Sequence, residues 1–348
     1  MHEICKRLVR MGLEVRAVTS WFPGLKHFEE IDGYTVERVG MLDSYIVYIP
    51  RILKRYLSWV NVIVEDVSKV PLMTPLLRPK KHIPVIAVVH HLNREIYFHE
   101  ISLLKAFIAY VLESHMPRLY TLLPKTVLVT VSESTKQELI RLGADPKKIL
   151  IVPNATDSIK TSPNLHHAMK NLEPTAIYFS RIKRYKQPHH ALLAFKKVLE
   201  NIPRAKFIVA GKGTEILSRY TRKLGIEHAV EIYGEVDEET KMRLLCKAWI
   251  LIQTSMKEGF GITVLEAAAC KTPTIAYNVP GLRDSVKHME TGILVGPGNI
   301  EQLAKTIIWL LTDEVLRSRL AENAYKYAQQ YTWDKVVQTF IKVLDGVG

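Results

Sequence analysis

Residues 248–278 read AWILIQTSMKEGFGITVLEAAACKTPTIAYN, and this stretch decides the fold. AWILIQTS is a continuous apolar run of strand length, ITVLEAAAC behind it has helical character, and TPTIAYN is a second strand. A strand, a helix and a strand at this spacing form the crossover that joins two parallel strands. Apolar residues that run on without alternating mark strands buried on both faces, as in a sheet sandwiched by helices. The pattern recurs in VNVIVED, IPVIAVVHH, KTVLVTVS and KKILIVPN ahead of this stretch, and in PTAIYFS, AKFIVAG, AVEIYG and TGILV around it. The chain therefore reads as α/β throughout.

The strand series pauses over DSIKTSPNLHHAMKNLEP, residues 157–174, which is polar and carries two prolines. We place one domain over residues 1–157 and a second over 158–331. Two doubly wound domains in tandem leave a cleft faced by the carboxyl ends of both sheets, where ligands of open α/β sheets bind. The end of the chain is helical, and Trp333 follows a break at QQYT, so residues 332–348 are expected to pack outside the second domain. The opening, MHEICKRLVRMGLEVRAVTS, reads as a short helix stopped by Gly12 and then a strand. A strand and a tight loop would ordinarily precede that helix, and the first domain is expected to lack them.

A formal net charge of +13 and a pI near 9.5 point to an anionic partner: nucleotide phosphates, an anionic lipid surface or nucleic acid. Nucleic acid is the weakest of these, because no zinc finger, RRM signature or basic region with interleaved aromatics is present. RILKRYLSWV, residues 51–60, reads first as an amphipathic crossover helix and second as a segment lying on a membrane surface. ISLLKAFIAYVLE is interrupted by Lys105 and ends at Glu113, short of the roughly 18 to 20 apolar residues of a membrane span. The N-terminus has no signal-peptide pattern. Cys5, Cys246 and Cys270 match neither a metal nor a disulfide spacing, which favours a reducing, cytosolic compartment.

The chemistry concentrates behind the strand AWILIQTS. Gly259 and Gly261 let the backbone approach a ligand, and the N–H groups of Ile262 and Thr263 at the helix start favour an anion such as a diphosphate. Glu258 lies before that helix and Glu266 on it, tilted back towards the same mouth. Two carboxylates there suit hydrogen bonds from sugar hydroxyls. The plainer reading makes Glu258 a helix-start acid and Glu266 a solvated residue. In FSRIKRYKQPHHALLAF, Arg181 and Lys186 follow a strand and precede the helix opened by Pro188, placed to meet a diphosphate. His90 and His91 close a buried strand at its carboxyl end, where a histidine can bond a transferred group. Either alone is more often a satisfied core histidine. Paired histidines also occur at metal sites, yet no further ligand stands at metal spacing. His166-His167 and His189-His190 read as a loop pair and a helix-start pair.

These residues resemble the retaining glycosyltransferases of family 4, which have the GT-B fold of two Rossmann-like domains. The resemblance rests on KEGFGITVLEAAACKTPTIAYNVPGLRDSVKHMETGILV, on FSRIKRYK, on VTVSESTKQELIRLGADPKKILIVPNATD, and on VAGKGTE and IYGEVDEETKMRLLCKAW in order between them. It covers essentially the whole chain. It implies a UDP- or GDP-linked sugar as substrate, with no cofactor and no metal. Glu266 would hold the ribose hydroxyls, Glu258 the donor sugar, and Arg181 and Lys186 the diphosphate. The backbone of Phe260, Gly261, Ile262 and Thr263 would approach sugar and phosphates, and His90 or His91 would lie near the transferred sugar. The final helix from Trp333 would cross back to the first domain.

The implied reaction is transfer of a hexose, with retention, to a lipid-linked or cell-surface glycan at the cytoplasmic face of a membrane. A nucleotide-sugar epimerase of the same architecture and a catalytically impaired subunit are the alternatives. Two departures from the family pattern stand out: Asn154-Ala155 replaces the usual Asn-Gly, and the first strand with its glycine-rich loop is missing.

Overall fold

The computed structural model describes the whole chain except residues 42–43, 57, 68–70, 79, 81, 157–169 and 348. Most of the polar segment at which the domain boundary is placed, with His166-His167, lies outside the described residues. The chain divides into two compact units, residues 1–153 with 333–348, and residues 154–332.

The first unit runs α1 (His2–Arg10), β1 (Arg16–Thr19), β2 (Phe28–Ile31), β3 (Tyr34–Arg38), α2 (Ile49–Tyr56), β4 (Ile63–Val67), α3 (Thr74–Leu77), β5 (Val85–Val89), α4 (Tyr97–Glu100), α5 (Leu103–Leu122), β6 (Thr126–Thr130), α6 (Glu133–Arg141) and β7 (Ile149–Ile151). β4, β5, β6 and β7 form a parallel sheet in that order, and all five residues of β5 are buried, as its unbroken apolar run requires. Among the described residues β1, β3 and β2 form a separate sheet, in which β1 and β3 are parallel and β3 and β2 antiparallel.

The β2–β3 hairpin is an addition to the expected all-parallel pattern. Asp32 and Gly33 both take positive φ at its turn, the backbone twist that a two-residue hairpin needs. α1 buries Ile4 and Leu8 and packs on β3, where His2 Nδ1 lies 2.8 Å from the Tyr34 hydroxyl. α2 joins β3 to β4, strands of two different sheets, and takes up the first part of the stretch 51–60. Ile52 is buried, and the buried Glu37 accepts hydrogen bonds from Arg55 and the Tyr56 hydroxyl, both at 2.5 Å. In α6 the Ser132 hydroxyl caps the helix by accepting the Thr135 N–H.

The second unit runs β8 (Thr175–Phe179), α7 (Pro188–Asn201), β9 (Lys206–Ala210), α8 (Ser218–Leu224), β10 (Val230–Gly234), α9 (Glu238–Lys247), β11 (Ile250–Gln253), α10 (Ile262–Ala269), β12 (Thr274–Tyr277), α11 (Leu282–Ser285), β13 (Gly292–Val295), α12 (Ile300–Thr312) and α13 (Glu314–Ala328). Its six strands are all parallel in the order β10-β9-β8-β11-β12-β13, so the winding reverses between β8 and β11. Phe195 of α7 stacks on Phe207 of β9 at 4.8 Å within one continuous apolar core.

The last helix, α14 (Trp333–Val347), belongs to the first unit. It buries Val336, Val337, Phe340 and Val343 on one stripe, and the Arg7 guanidinium lies 5.9 Å from the centre of the Trp333 ring.

One expectation is corrected. Cys246 and Cys270 form a disulfide, their Cα atoms 4.7 Å apart, linking the end of α9 to the end of α10. Spacing along the chain gave no sign of it because the pairing is tertiary: two crossover helices that flank β11 bring their last turns together. Of the three cysteines, Cys5 alone is a free thiol.

Candidate active site

The winding reversal places the loops after β8 and β11 side by side at the carboxyl edge of the second sheet, the place where such sheets bind ligands. The loop after β8 turns through a short 3-10 segment, Arg184–Lys186, and Gln187 at φ 49° hands the chain to Pro188, the first residue of α7. It is stitched to the β11 loop. Met256 N–H donates to the Tyr185 carbonyl at 2.8 Å, and the buried Thr254 hydroxyl lies within 3.1 Å of the Lys186 and Gln187 carbonyls.

These bonds bring two of the sequence-predicted residues together. Lys186 Nζ lies 2.5 Å from Glu258 Oε1, which also accepts from the Ser255 hydroxyl at 2.6 Å. Both charged side chains are largely buried, at 12% and 15% exposure. The Glu258 backbone is fixed in turn by the turn after β12, since its N–H donates to the Pro280 carbonyl at 3.0 Å. Gly281 sits so close that a Cβ there would stand 2.1 Å from the Glu258 carbonyl oxygen.

Gly261 takes φ +92° immediately ahead of α10, which only glycine adopts at no steric cost. Its carbonyl accepts the Val264 N–H, and the N–H groups of Ile262 and Thr263 open the helix at its positive end. Phe260 is buried against Tyr331, ring centres 5.2 Å apart, while the Ile262 side chain is exposed.

Glu266 departs from the plainer reading of a solvated residue. It is 8% exposed rather than solvated, and Lys241 Nζ of α9 donates to its Oε1 at 2.8 Å. Burial pushes its carboxyl above the ordinary carboxylate value, and the Lys241 ammonium pulls it part of the way back. Lys241 is itself raised, because Glu266 and Glu238 outweigh the burial that acts against its charge. Oε2 of Glu266 accepts no hydrogen bond from a described residue, which leaves an acceptor on a carboxylate whose position is fixed. Arg181 is exposed just past β8 and pairs with no described residue.

His90 and His91 lie in the first unit, behind β5. His90 Nε2 stands 3.3 Å from Asp66 Oδ1, at the end of the neighbouring strand β4, whereas His91 Nε2 lies 3.2 Å from Asn93 Oδ1. Burial would raise the Asp66 carboxyl, but His90 outweighs it and holds the group below its ordinary value. The contact is one of ion-pairing distance. His190 instead reaches the Tyr277 hydroxyl at 2.9 Å inside the second unit. Among the described residues no cluster of three or more His, Cys, Asp or Glu side chains could hold a metal ion.

Sequence reasoning missed Lys241, Ser255 and Asp66. Ser255 and Asp66 sit at the ends of strands that were read, so strand-end polar residues were the available signal. Lys241 carried none, because α9 meets α10 only through the tertiary fold.

Comparison with known proteins agrees with this architecture. Residues 1–159 match the family described as Glycosyltransferase Family 4, and residues 166–327 match Glycosyl transferases group 1. Between them only residues 160–165 and 328–348 are left out. An uncharacterized glycosyltransferase of Methanocaldococcus jannaschii is 25% identical over 370 residues, covering 98% of this chain and 91% of that protein. The chain spans 25% of one further curated relative and 58% of another.

Sucrose-phosphate synthase from Thermosynechococcus elongatus superposes with a TM-score of 0.79 at 17% identity, covering 99% of this chain and 92% of that one. An Anabaena protein crystallised with UDP-glucose superposes with a TM-score of 0.69 at 17% identity, covering 89% and 86%. The fold is that of the GT-B glycosyltransferases. The chain belongs to glycosyltransferase family 4.

Proposed function

We propose that the protein transfers a hexose from a UDP- or GDP-linked donor, with retention at the anomeric carbon, to a lipid-linked or cell-surface glycan. The second unit binds the donor, and transfer takes place at the cytoplasmic face of a membrane. The observation that carries this reading is the Lys186–Glu258 pair, held beside the N-terminus of α10. A cation and helix N–H groups side by side suit a diphosphate, and the carboxylate suits hydrogen bonds from sugar hydroxyls.

In the proposed mechanism Glu266 accepts from the ribose hydroxyls through Oε2, its geometry fixed by Lys241 at Oε1. Lys186 and Arg181 take the diphosphate, together with the N–H groups of Ile262 and Thr263, while Phe260 and Gly261 shape the backbone around the sugar. Glu258 accepts from sugar hydroxyls. As the glycosidic bond breaks, charge grows on the leaving phosphate, and fixed cations and dipoles stabilise it most at that moment. His90, oriented by Asp66, bonds the transferred sugar. No metal or cofactor has a step in this scheme.

The test is a screen of UDP- and GDP-sugars with lipid-linked and soluble glycan acceptors, scored by product mass and anomeric NMR. Transfer with retention, lost in Glu266→Ala together with donor binding, is the expected result. Absence of donor binding, or an epimerised donor formed without acceptor, would overturn it.

A further inference from the structure

α5 is built in two halves of different chemistry. Its inward stripe holds Ala106, Ala109, Glu113, Met116 and Tyr120, all buried. Over its first two and a half turns the outward side carries Leu103, Leu104, Phe107, Ile108, Val111 and Leu112, and every one of them is exposed, Leu103 by 74% and Leu104 by 73%. Phe98, in the turn before, is exposed as well. Isolated exposed apolar residues are ordinary, but a contiguous group of this size marks an interaction surface.

The charges around it say what covers it. Lys105 is exposed beside the first turn, and His115 and Arg118 follow Val111 along the same side at helical spacing. The helix's one acidic residue, Glu113, points inward, where it accepts the backbone N–H groups of Asn93 and Arg94 at 2.9 and 2.6 Å. The outward face is thus an apolar tip with a cationic collar, Lys105 and Arg118, and no acidic side chain of the helix. A two-fold contact with a second copy would set Lys105 and Arg118 against themselves with no acid on α5 to answer them. An anionic bilayer interface satisfies both halves: the tip enters the boundary of the acyl chains, and the collar stays at the level of the phosphates. No described helix is long and apolar enough to cross a membrane, so the contact is one of lying in the surface.

We infer that the outward face of α5, from Leu103 to Leu112, inserts into the surface of an anionic lipid bilayer. The inference deepens the proposed transfer to a lipid-linked acceptor, but its test does not depend on it. Flotation of the full chain with phosphatidylcholine vesicles, with and without phosphatidylglycerol, reads the contact directly. The protein is expected to float with the anionic vesicles and less with the neutral ones.

Phe107→Ser with Ile108→Ser should lower the partition coefficient by about tenfold or more, from the apolar area no longer buried. Lys105→Glu should lower it by about fivefold on anionic vesicles alone. Donor binding by calorimetry should be unchanged in both variants. Failure to float, flotation indifferent to these substitutions, or a dimer in sedimentation that they dissociate without any lipid binding would each overturn the inference. Flotation that follows the substitutions in a protein that binds no nucleotide sugar would leave the inference standing and remove the proposed function.

Discussion

Lys186 and Glu258, 72 residues apart in sequence, share a 2.5 Å ion pair at the carboxyl edge of the second sheet. Each neutralises the other where a diphosphate sugar is proposed to bind. Removing the ammonium in Lys186→Ala is expected to lower kcat by about 100-fold to 1000-fold, the usual cost of losing one group that stabilises developing charge. Glu258→Gln should lower kcat while leaving the donor Kd nearly unchanged, since it frees Lys186 for the phosphates. Steady-state kinetics with calorimetric donor titration separates the two effects.

Lys241 and Glu266 form the second pair, more deeply buried. Lys241→Met leaves a buried carboxylate without its counter-charge and should cost about 3 to 5 kcal/mol. Combining it with Glu266→Gln should recover much of that loss, because a neutral amide replaces the stranded charge. Urea unfolding of the single and double variants checks the non-additivity.

Gly281 holds the Glu258 loop by having no side chain. Its φ of +83° and the 2.1 Å that a Cβ would leave to the Glu258 carbonyl make Gly281→Ala costly on both counts. A loss of about 2 kcal/mol or more is expected. The loop must shift as well, so kcat should fall further than stability alone explains when measured well below the melting temperature.

Lys170 is half-buried, its ammonium donating to the Ala248 and Cys270 carbonyls and the Thr272 hydroxyl. Burial pushes its pKa down to about 7, helped by the nearby Arg317. An unfolded lysine keeps its proton up to about pH 10.4, so between pH 7 and that value the unfolded chain binds the extra proton. Stability should therefore rise with pH across this window, and Lys170→Met should flatten the rise. Melting temperatures in a pH series compare the two proteins.

The Cys246–Cys270 disulfide closes a loop of 24 residues, and reducing it should cost about 3 kcal/mol. Thiol titration of the unreduced, denatured protein is expected to find one free cysteine, and two more after reduction.

Much of the fold was legible because parallel strands write themselves as unbroken apolar runs, as VIAVV does for β5 and ILIQ for β11. The β2–β3 hairpin was not read. FEEIDGYTVER lacks the unbroken apolar run of a parallel strand, since it buries the charged Glu37 and Arg38 and exposes Phe28, and its one local signal is Asp-Gly between two strands. At the site, strand ends alone put Arg181, Lys186 and Glu258 at one edge, because a parallel sheet gathers its βα loops there. The partners of buried groups were beyond reach. Lys241 against Glu266, Asp66 against His90 and Cys246 against Cys270 are choices made by helix packing and strand order, and none leaves a mark in local spacing.

The division of the first unit's strands into two sheets has a consequence for cooperativity. Among the described residues no backbone ladder joins β1 to β4, so the three-stranded sheet is held by side chains: Glu37 with Arg55 and Tyr56, and α1 lying against β3. Side-chain ties break one at a time, whereas a ladder opens as a unit. Hydrogen exchange is therefore expected to find the amides of β1 to β3 opening locally at low cost, and those of β5 and β6 exchanging only as the whole unit unfolds.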